Sequence, residues 1–187
     1  MSYIDLLRES AKEAGNIVCM GLDPVLSVLP ESDASIRERI GSYFSEMFRR
    51  MRLEGGAPAA FKPNIGYYQS LDNPRAEDFS GSLALVDVLE LLESYFPGIP
   101  VILDSKRGDI AKSSENYAKE AFDAWQADAV TVSPYMGHDS VLPFAYPDKG
   151  VYVLNRTSNP GAVDFQDQTV LDKVDEKDLY PLYTAVA

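Results

Sequence analysis

Short apolar runs alternate with longer stripes of apolar residues at helical spacing along most of this chain. Asn16 to Gly21, Ala59 to Asn64, Pro100 to Asp104, Ala129 to Ser133 and Gly150 to Asn155 read as strands. Each is short, nearly continuous in apolar or small residues, and followed by a polar loop, which predicts strands buried on both faces. Between them, Ile36, Ile40, Tyr43, Phe44, Met47, Phe48 and Met51 recur at spacings of three and four, as do Leu83, Val86, Leu89, Leu92 and Phe96. Both are amphipathic-helix patterns, read as core-facing stripes. A third helix is expected from about Ser113 to Gln126, with Ser113 or Ser114 as N-cap and Tyr117, Ala118, Ala121 and Trp125 turned inward. Strand-then-helix units in succession require parallel strands with right-handed crossovers, so the chain is α/β, either a (β/α)8 TIM barrel or an open doubly wound sheet.

The polar residues discriminate between the two. Asp23 follows the first strand, Lys62 ends the second, and Asp104, Lys106 and Asp109 follow the third. Ser133 follows the fourth, and Thr157 and Ser158 follow the fifth. In a barrel the carboxyl ends of all strands ring one mouth, whereas in an open sheet only the strands beside a switch point contribute. Five contributing strands favour the barrel, with about its first five βα units present.

The densest chemistry lies in Asp104-Ser105-Lys106-Arg107-Gly108-Asp109-Ile110. A lysine between two acids at a strand end is a positioned proton donor if the carboxylates converge on it and hold it protonated. The bland reading is a surface ion pair of little energetic weight. Lys62, after Ala59-Ala60-Phe61, is costly to bury without a partner, and Asp104 one strand away would supply one.

Composition narrows the function. A net charge of -12 over 187 residues, without a basic cluster, argues against nucleic acid. No run approaches the roughly 20 apolar residues of a membrane span, and the amino terminus lacks the pattern of a signal peptide. With one cysteine, Cys19, expected to be a buried structural thiol, this points to the cytoplasm. There is no dinucleotide loop, Walker lysine or Cys/His cluster at zinc spacing, so no cofactor and no metal are expected.

Gly21-Leu22-Asp23-Pro24, Phe61-Lys62-Pro63-Asn64, the Asp104 to Ile110 segment, Ser133-Pro134-Tyr135-Met136-Gly137 and Arg156-Thr157-Ser158-Asn159-Pro160-Gly161-Ala162 together resemble the orotidine 5′-phosphate decarboxylases, in particular their longer bacterial subfamily. The resemblance runs from Asp23 to about Gln166. It implies a (β/α)8 barrel acting as a homodimer with a shared active site, converting orotidine 5′-monophosphate to UMP in pyrimidine biosynthesis without metal or organic cofactor. By the same resemblance, Lys62, Asp104, Lys106 and Asp109 form an alternating charged array, and the acid matching Asp109 reaches the site from the neighbouring subunit. Asp23 and Lys62 would meet the ribose hydroxyls, Asp109 and Ser113 the 2′-hydroxyl across the dimer, and Ser158 the pyrimidine edge. Ser113 departs from the more typical threonine but keeps the hydroxyl.

A closed barrel takes about 250 residues. The chain is therefore expected to be a single domain over 1–187 that lacks its carboxy-terminal third, ending within a helix after strand five, ahead of the family's phosphate-gripping loops. As an isolated fragment it is expected to be inactive. Three other readings stand beside this one. A magnesium-dependent sugar-phosphate decarboxylase or synthase of the same superfamily would want further acids near the third strand, where Arg107 and Gly108 stand instead. A non-catalytic half-barrel binding partner would not need all four charged residues. Nucleophilic chemistry at His138, the only histidine, is the weakest, because Gly137-His138-Asp139-Ser140 reads as a helix start.

Overall fold

The computed structural model describes residues 1–171 and 179–185. Five parallel strands follow one another: β1 (Cys19–Gly21), β2 (Ala60–Lys62), β3 (Ile102–Arg107), β4 (Ala129–Val132) and β5 (Gly150–Val153). β1 pairs with β2, and β3, β4 and β5 pair in that order. Parallel bridges Phe61 to Val101 and Asn64 to Asp104 join β2 to β3. The carboxyl ends of all five strands therefore point the same way.

The helices are α1 (Tyr3–Ala14), α2 (Ile36–Leu53), α3 (Ile65–Gln69), α4 (Ser80–Tyr95), α5 (Ala111–Lys119) and α6 (His138–Val141). Ser35 and Glu38 form a reciprocal capping box that starts α2, satisfying amides that an uncapped helix leaves orphaned. α2 buries Ile40, Phe44 and Phe48. α4 buries Ala84, Leu85, Val88 and Leu92, while Leu83 and Val86 are exposed. The expected α4 stripe holds at Leu89, Leu92 and Phe96 but not in the first turns, where the small residues Gly81 and Ala84 face inward because the helix packs close to the chain below. A Cβ on Gly81 would meet the Tyr68 carbonyl oxygen.

The central strands are buried on both faces, as expected, β4 along its whole length and β2 and β3 over their first residues, but the two faces differ in character. Phe61, Leu103, Val130 and Val132 point outward into the main core with Phe48, Phe96, Leu85 and Val88. Phe61 lies 5.7 Å from Phe48 and 5.2 Å from Phe96, ring centre to ring centre. On the other face, side-chain contacts form two layers. The lower gathers Ala60, Ile102 and Ala129, and the upper gathers Lys62, Asp104 and Thr131.

Tyr3 of α1 plugs the lower layer, packing with Ala60, Ile102 and Ala129. Its hydroxyl is 2.7 Å from that of Tyr152. Gly150 is required here, since a Cβ would stand 2.3 Å from the Tyr3 ring. Small residues at this level make room for an aromatic floor, which leaves the level above for polar groups.

Three local expectations are corrected. Cys19 is exposed rather than buried, because among the described residues β1 pairs only with β2 and its inner face is open. α5 begins at Ala111 after Ile110, with no side-chain cap from Ser113 or Ser114, and passes into a π-helical turn at Glu120–Ala124. Ser114 is instead consumed by the preceding loop, donating to the Asp109 carbonyl at 2.6 Å. After β5 come a 3-10 turn at Pro160–Asp164, an antiparallel pair β6 (Thr169–Leu171) and β7 (Leu179–Pro181), and another 3-10 turn at Leu182–Ala185, where a helix was expected.

Candidate active site

Asp104 is the centre of the upper layer. The residue is only 5% exposed, and both of its carboxylate oxygens accept hydrogen bonds. Lys62 Nζ donates to Oδ2 at 2.9 Å, and Lys106 Nζ and Thr131 Oγ1 donate to Oδ1 at 2.6 and 2.7 Å. Burial alone would raise the Asp104 pKa, but the hydrogen bonds from Lys106, Lys62 and Thr131 outweigh it and hold the carboxyl below its ordinary range. For Lys62, burial opposes the charge, while pairing with Asp104 and the nearby charge of Asp23 overcome it and lift the ammonium above the usual lysine value. One carboxylate thus accepts from two lysines, with both lysine side chains still reaching solvent on the open side.

Local backbone geometry sets this arrangement. β3 and β4 slip register between Leu103 and Arg107, leaving a bulge at Ser105 and Lys106, and Lys106 takes a φ of 48°, in the left-handed region. Bulges re-aim side chains next to functional sites. Beyond the bulge Arg107 turns outward, donating to Glu120 at 3.1 and 3.3 Å, and lies 5.0 Å above the Tyr117 ring. That anchor ties the loop to α5. Gly108 passes so close to β4 that a Cβ would lie 2.6 Å from the Ser133 carbonyl oxygen.

Asp23 accepts from the Asn64 amide at 2.9 Å, bringing the loop after β1 against the end of β2. Tyr68 locks the same junction by donating to the Leu22 carbonyl at 2.7 Å. Lys62, Asp104 and Lys106 are therefore brought together, and Asp23 stands beside them.

Asp109 and Ser113 do not join the array within this chain. Asp104 converges on Lys106 as expected, but the Asp109 carboxylate accepts from the Ile110 amide at 2.7 Å. Ser113 lies in the first turn of α5. Ser158 is exposed in the bend behind β5. Its loop is clipped at the base by Gln166, which accepts from the Thr157 amide at 2.7 Å, and by the Arg156–Asp167 ion pair at 2.7 Å. His138 opens α6, as a helix-start reading expects, but Gly137 is the N-cap and neither Asp139 nor Ser140 caps the helix; Ser140 donates back to the Gly137 carbonyl.

Thr131 is the site residue that the strand reading missed. The signal was present: a lone hydroxyl in Ala129-Val130-Thr131-Val132, two residues from a small inward-facing alanine. Reading the run as alternating would have placed it inside. Among the described residues no group of three or more His, Cys, Asp or Glu side chains gathers as a metal-binding cluster. No helix among them is long and apolar enough to cross a membrane.

With this geometry in view, the chain can be set beside known proteins. The curated orotidine 5′-phosphate decarboxylase of Cupriavidus necator is 43% identical over 188 residues, covering 100% of this chain and 64% of that protein. The decarboxylase of Ralstonia nicotianae is 46% identical over 169 residues, covering 89% of this chain and 58% of its own length. Among solved structures, Leishmania donovani OMP decarboxylase superposes with a TM-score of 0.75 at 38% identity, over 100% of this chain and 63% of that one. Leishmania donovani UMP synthase gives a TM-score of 0.77 at 37% identity, covering 100% of this chain and 36% of its own. The chain thus spans less than two thirds of the length of these relatives. The family described as orotidine 5′-phosphate decarboxylase / HUMPS matches residues 17–180, and the chain belongs to that family.

Proposed function

We propose that the full-length protein is a cofactor-free decarboxylase that converts orotidine 5′-monophosphate to UMP in the cytoplasm, with residues 1–187 forming the first five βα units of one (β/α)8 barrel domain. The observation that carries this reading is the Lys62–Asp104–Lys106 array, with both ammonium groups within 2.9 Å of one buried carboxylate at the mouth of the sheet. The decarboxylase names of the relatives support the substrate.

The chemistry asks for such a site. Loss of carbon dioxide from C6 of the pyrimidine leaves an electron pair in an sp² orbital that the ring does not delocalise. Stabilisation then has to come from charges already in place, and preorganised electrostatics in a closed pocket is the strongest tool available. A cation at C6 favours the developing carbanion over the starting carboxylate, whose charge lies further away. Lys106 is that cation and delivers its proton to C6. Asp104 keeps Lys106 and Lys62 charged and aimed, and its own negative charge lies beside the substrate carboxylate and repels it in the ground state. Asp23 and Lys62 hold the ribose hydroxyls, and Ser158 reads the pyrimidine edge.

Asp109 and Ser113 act in the site of a second subunit of a homodimer. Their separation from the array of their own chain supports this assignment, and so do exposed apolar side chains on neighbouring loops. Ile110, Tyr135, Met136 and Phe165 are exposed on the segments behind β3, β4 and β5, and exposed large apolar side chains suit an interface.

Lys106→Ala in the full-length protein tests the reading. Decarboxylation should fall by at least about 10⁴-fold while UMP binding weakens by less than about 10-fold, because the variant removes the proton donor and leaves the ribose and base contacts. Turnover equal to that of the unmutated protein would refute the assignment.

A further inference from the structure

We propose that Thr131 is a positioning residue whose hydroxyl couples the aim of the Asp104 carboxylate to the backbone turn that carries Lys106. The inference rests on the proposed decarboxylation for its catalytic consequence, while its structural part stands on the geometry alone.

A hydroxyl has one proton to give and two lone pairs with which to accept. Thr131 uses both functions within the array. It donates to Asp104 Oδ1 at 2.7 Å and accepts from the Lys106 amide at 3.0 Å. The second bond answers a need created by the bulge. The register shift between Leu103 and Arg107 removes Ser105 and Lys106 from the regular β3–β4 ladder, so the Lys106 amide takes a side-chain acceptor. At the same point Lys106 has a φ of 48°, which a residue with a Cβ adopts only when its surroundings hold it there. Thr131 is 8% exposed and β-branched, so its χ1 is restricted before any ligand arrives.

Both ends of Lys106 are consequently tied to one atom group. The ammonium rests on Asp104 Oδ1, Thr131 donates to the same oxygen, and the Lys106 amide returns to the Thr131 oxygen. Lys62 holds the other carboxylate oxygen. Rotation of the Asp104 carboxylate would break contacts to all three neighbours together, so the direction of the proton donor is fixed by a closed circuit rather than by one ion pair.

A buried threonine that merely fills space would behave differently, and two substitutions separate the cases. Thr131→Val keeps the shape and the branch and removes the hydroxyl, whereas Thr131→Ser keeps the hydroxyl and removes the methyl. Packing alone makes serine the worse variant. Positioning makes valine the worse one, with kcat for orotidine 5′-monophosphate down about 10- to 100-fold and KM within about 3-fold, and serine within about 3-fold of wild type in both. Carbon-13 NMR titration of the Asp104 carboxyl supplies a readout independent of turnover: its pKa should rise in Thr131→Val and return toward wild type in Thr131→Ser. Unchanged titration in the valine variant, or a serine variant that loses kcat as far as valine, would overturn the proposal. If the unmutated protein does not decarboxylate the substrate, the functional reading fails, and the titration still decides the positioning role. Should the valine variant not fold, amide hydrogen exchange of the wild-type protein decides instead. A protected Lys106 amide supports the circuit, and exchange at the rate of an exposed loop amide overturns it.

Discussion

Replacing Asp104 with asparagine conserves volume and removes one charge, which isolates the electrostatic part of the array. Two ammonium groups now within 2.9 Å of a carboxylate would be left facing each other and a neutral amide. Removing one partner of a deeply buried pair costs about 3–5 kcal/mol. Here the carboxylate is buried, but the Lys62 and Lys106 side chains are 33% and 47% exposed, and water screens what they lose. A net cost of roughly 1–3 kcal/mol follows. With a urea m-value of about 2 kcal/mol/M, the midpoint should fall by about 0.5–1.5 M at pH 7.

The pH dependence of that difference is the sharper measurement. The folded-state pKa of Asp104 is lowered. Its contribution is therefore complete above the unfolded carboxylate value of about 3.9 and is lost as pH falls through the folded value. Lys62 is raised, so its contribution is complete below about 10.4 and is lost as pH rises through its folded value. The gap between wild type and Asp104→Asn should be flat between about pH 5 and pH 9 and narrow on both sides. Urea titrations followed by circular dichroism across this range measure it directly. A gap below about 0.5 kcal/mol at pH 7 would refute the reasoning, since it would mean that the pair is worth no more than an exposed one. A gap that stays constant well below pH 3 in protein that is still folded would do the same.

Two further outcomes bear on other parts of the structure. Mixing Lys106→Ala subunits with Asp109→Asn subunits should restore part of the activity that each lacks alone, because a mixed dimer has one site with neither lesion; assays of the mixture after co-refolding measure this, and no recovery would exclude a shared site. Gly108→Ala should destabilise the protein by about 1–3 kcal/mol, since the added Cβ meets the backbone of Ser133, which cannot yield like a flexible side chain. The corresponding fall in Tm is about 3–10 °C for a chain of this size, and an unchanged Tm by calorimetry would show that the two loops separate freely.

Much of the architecture was legible before any coordinates. The five apolar runs are strands because each is short, rich in Val, Ile, Ala and Phe, and bounded by loop residues. The α2 stripe kept its phase, with only Tyr43 turned out to solvent, because its apolar residues form one clear face. The α4 stripe held only at Leu89, Leu92 and Phe96, because leucine and valine are spread around the first turns and there the fit of Gly81 against Tyr68 of α3 chooses a side. Cys19 misled for a related reason. An apolar neighbourhood in sequence predicts burial only if another element covers that face, and among the described residues the inner face of β1 is open.

What the sequence by itself determined is the order of strands and helices and the supply of chemistry at the strand ends: Lys62, Asp104 and Lys106 are there to be read. What only the tertiary structure decided is which of these groups meet. Pairing register brought Lys62 and Thr131 from two other strands onto the carboxylate of Asp104, and a bulge turned Lys106 back toward it. The same bulge and loop carried Asp109 away. Register and bulges depend on contacts between segments 25 to 42 residues apart, and no local pattern of hydrophobic and polar residues encodes such contacts, because each strand would satisfy its own pattern equally well two residues out of step.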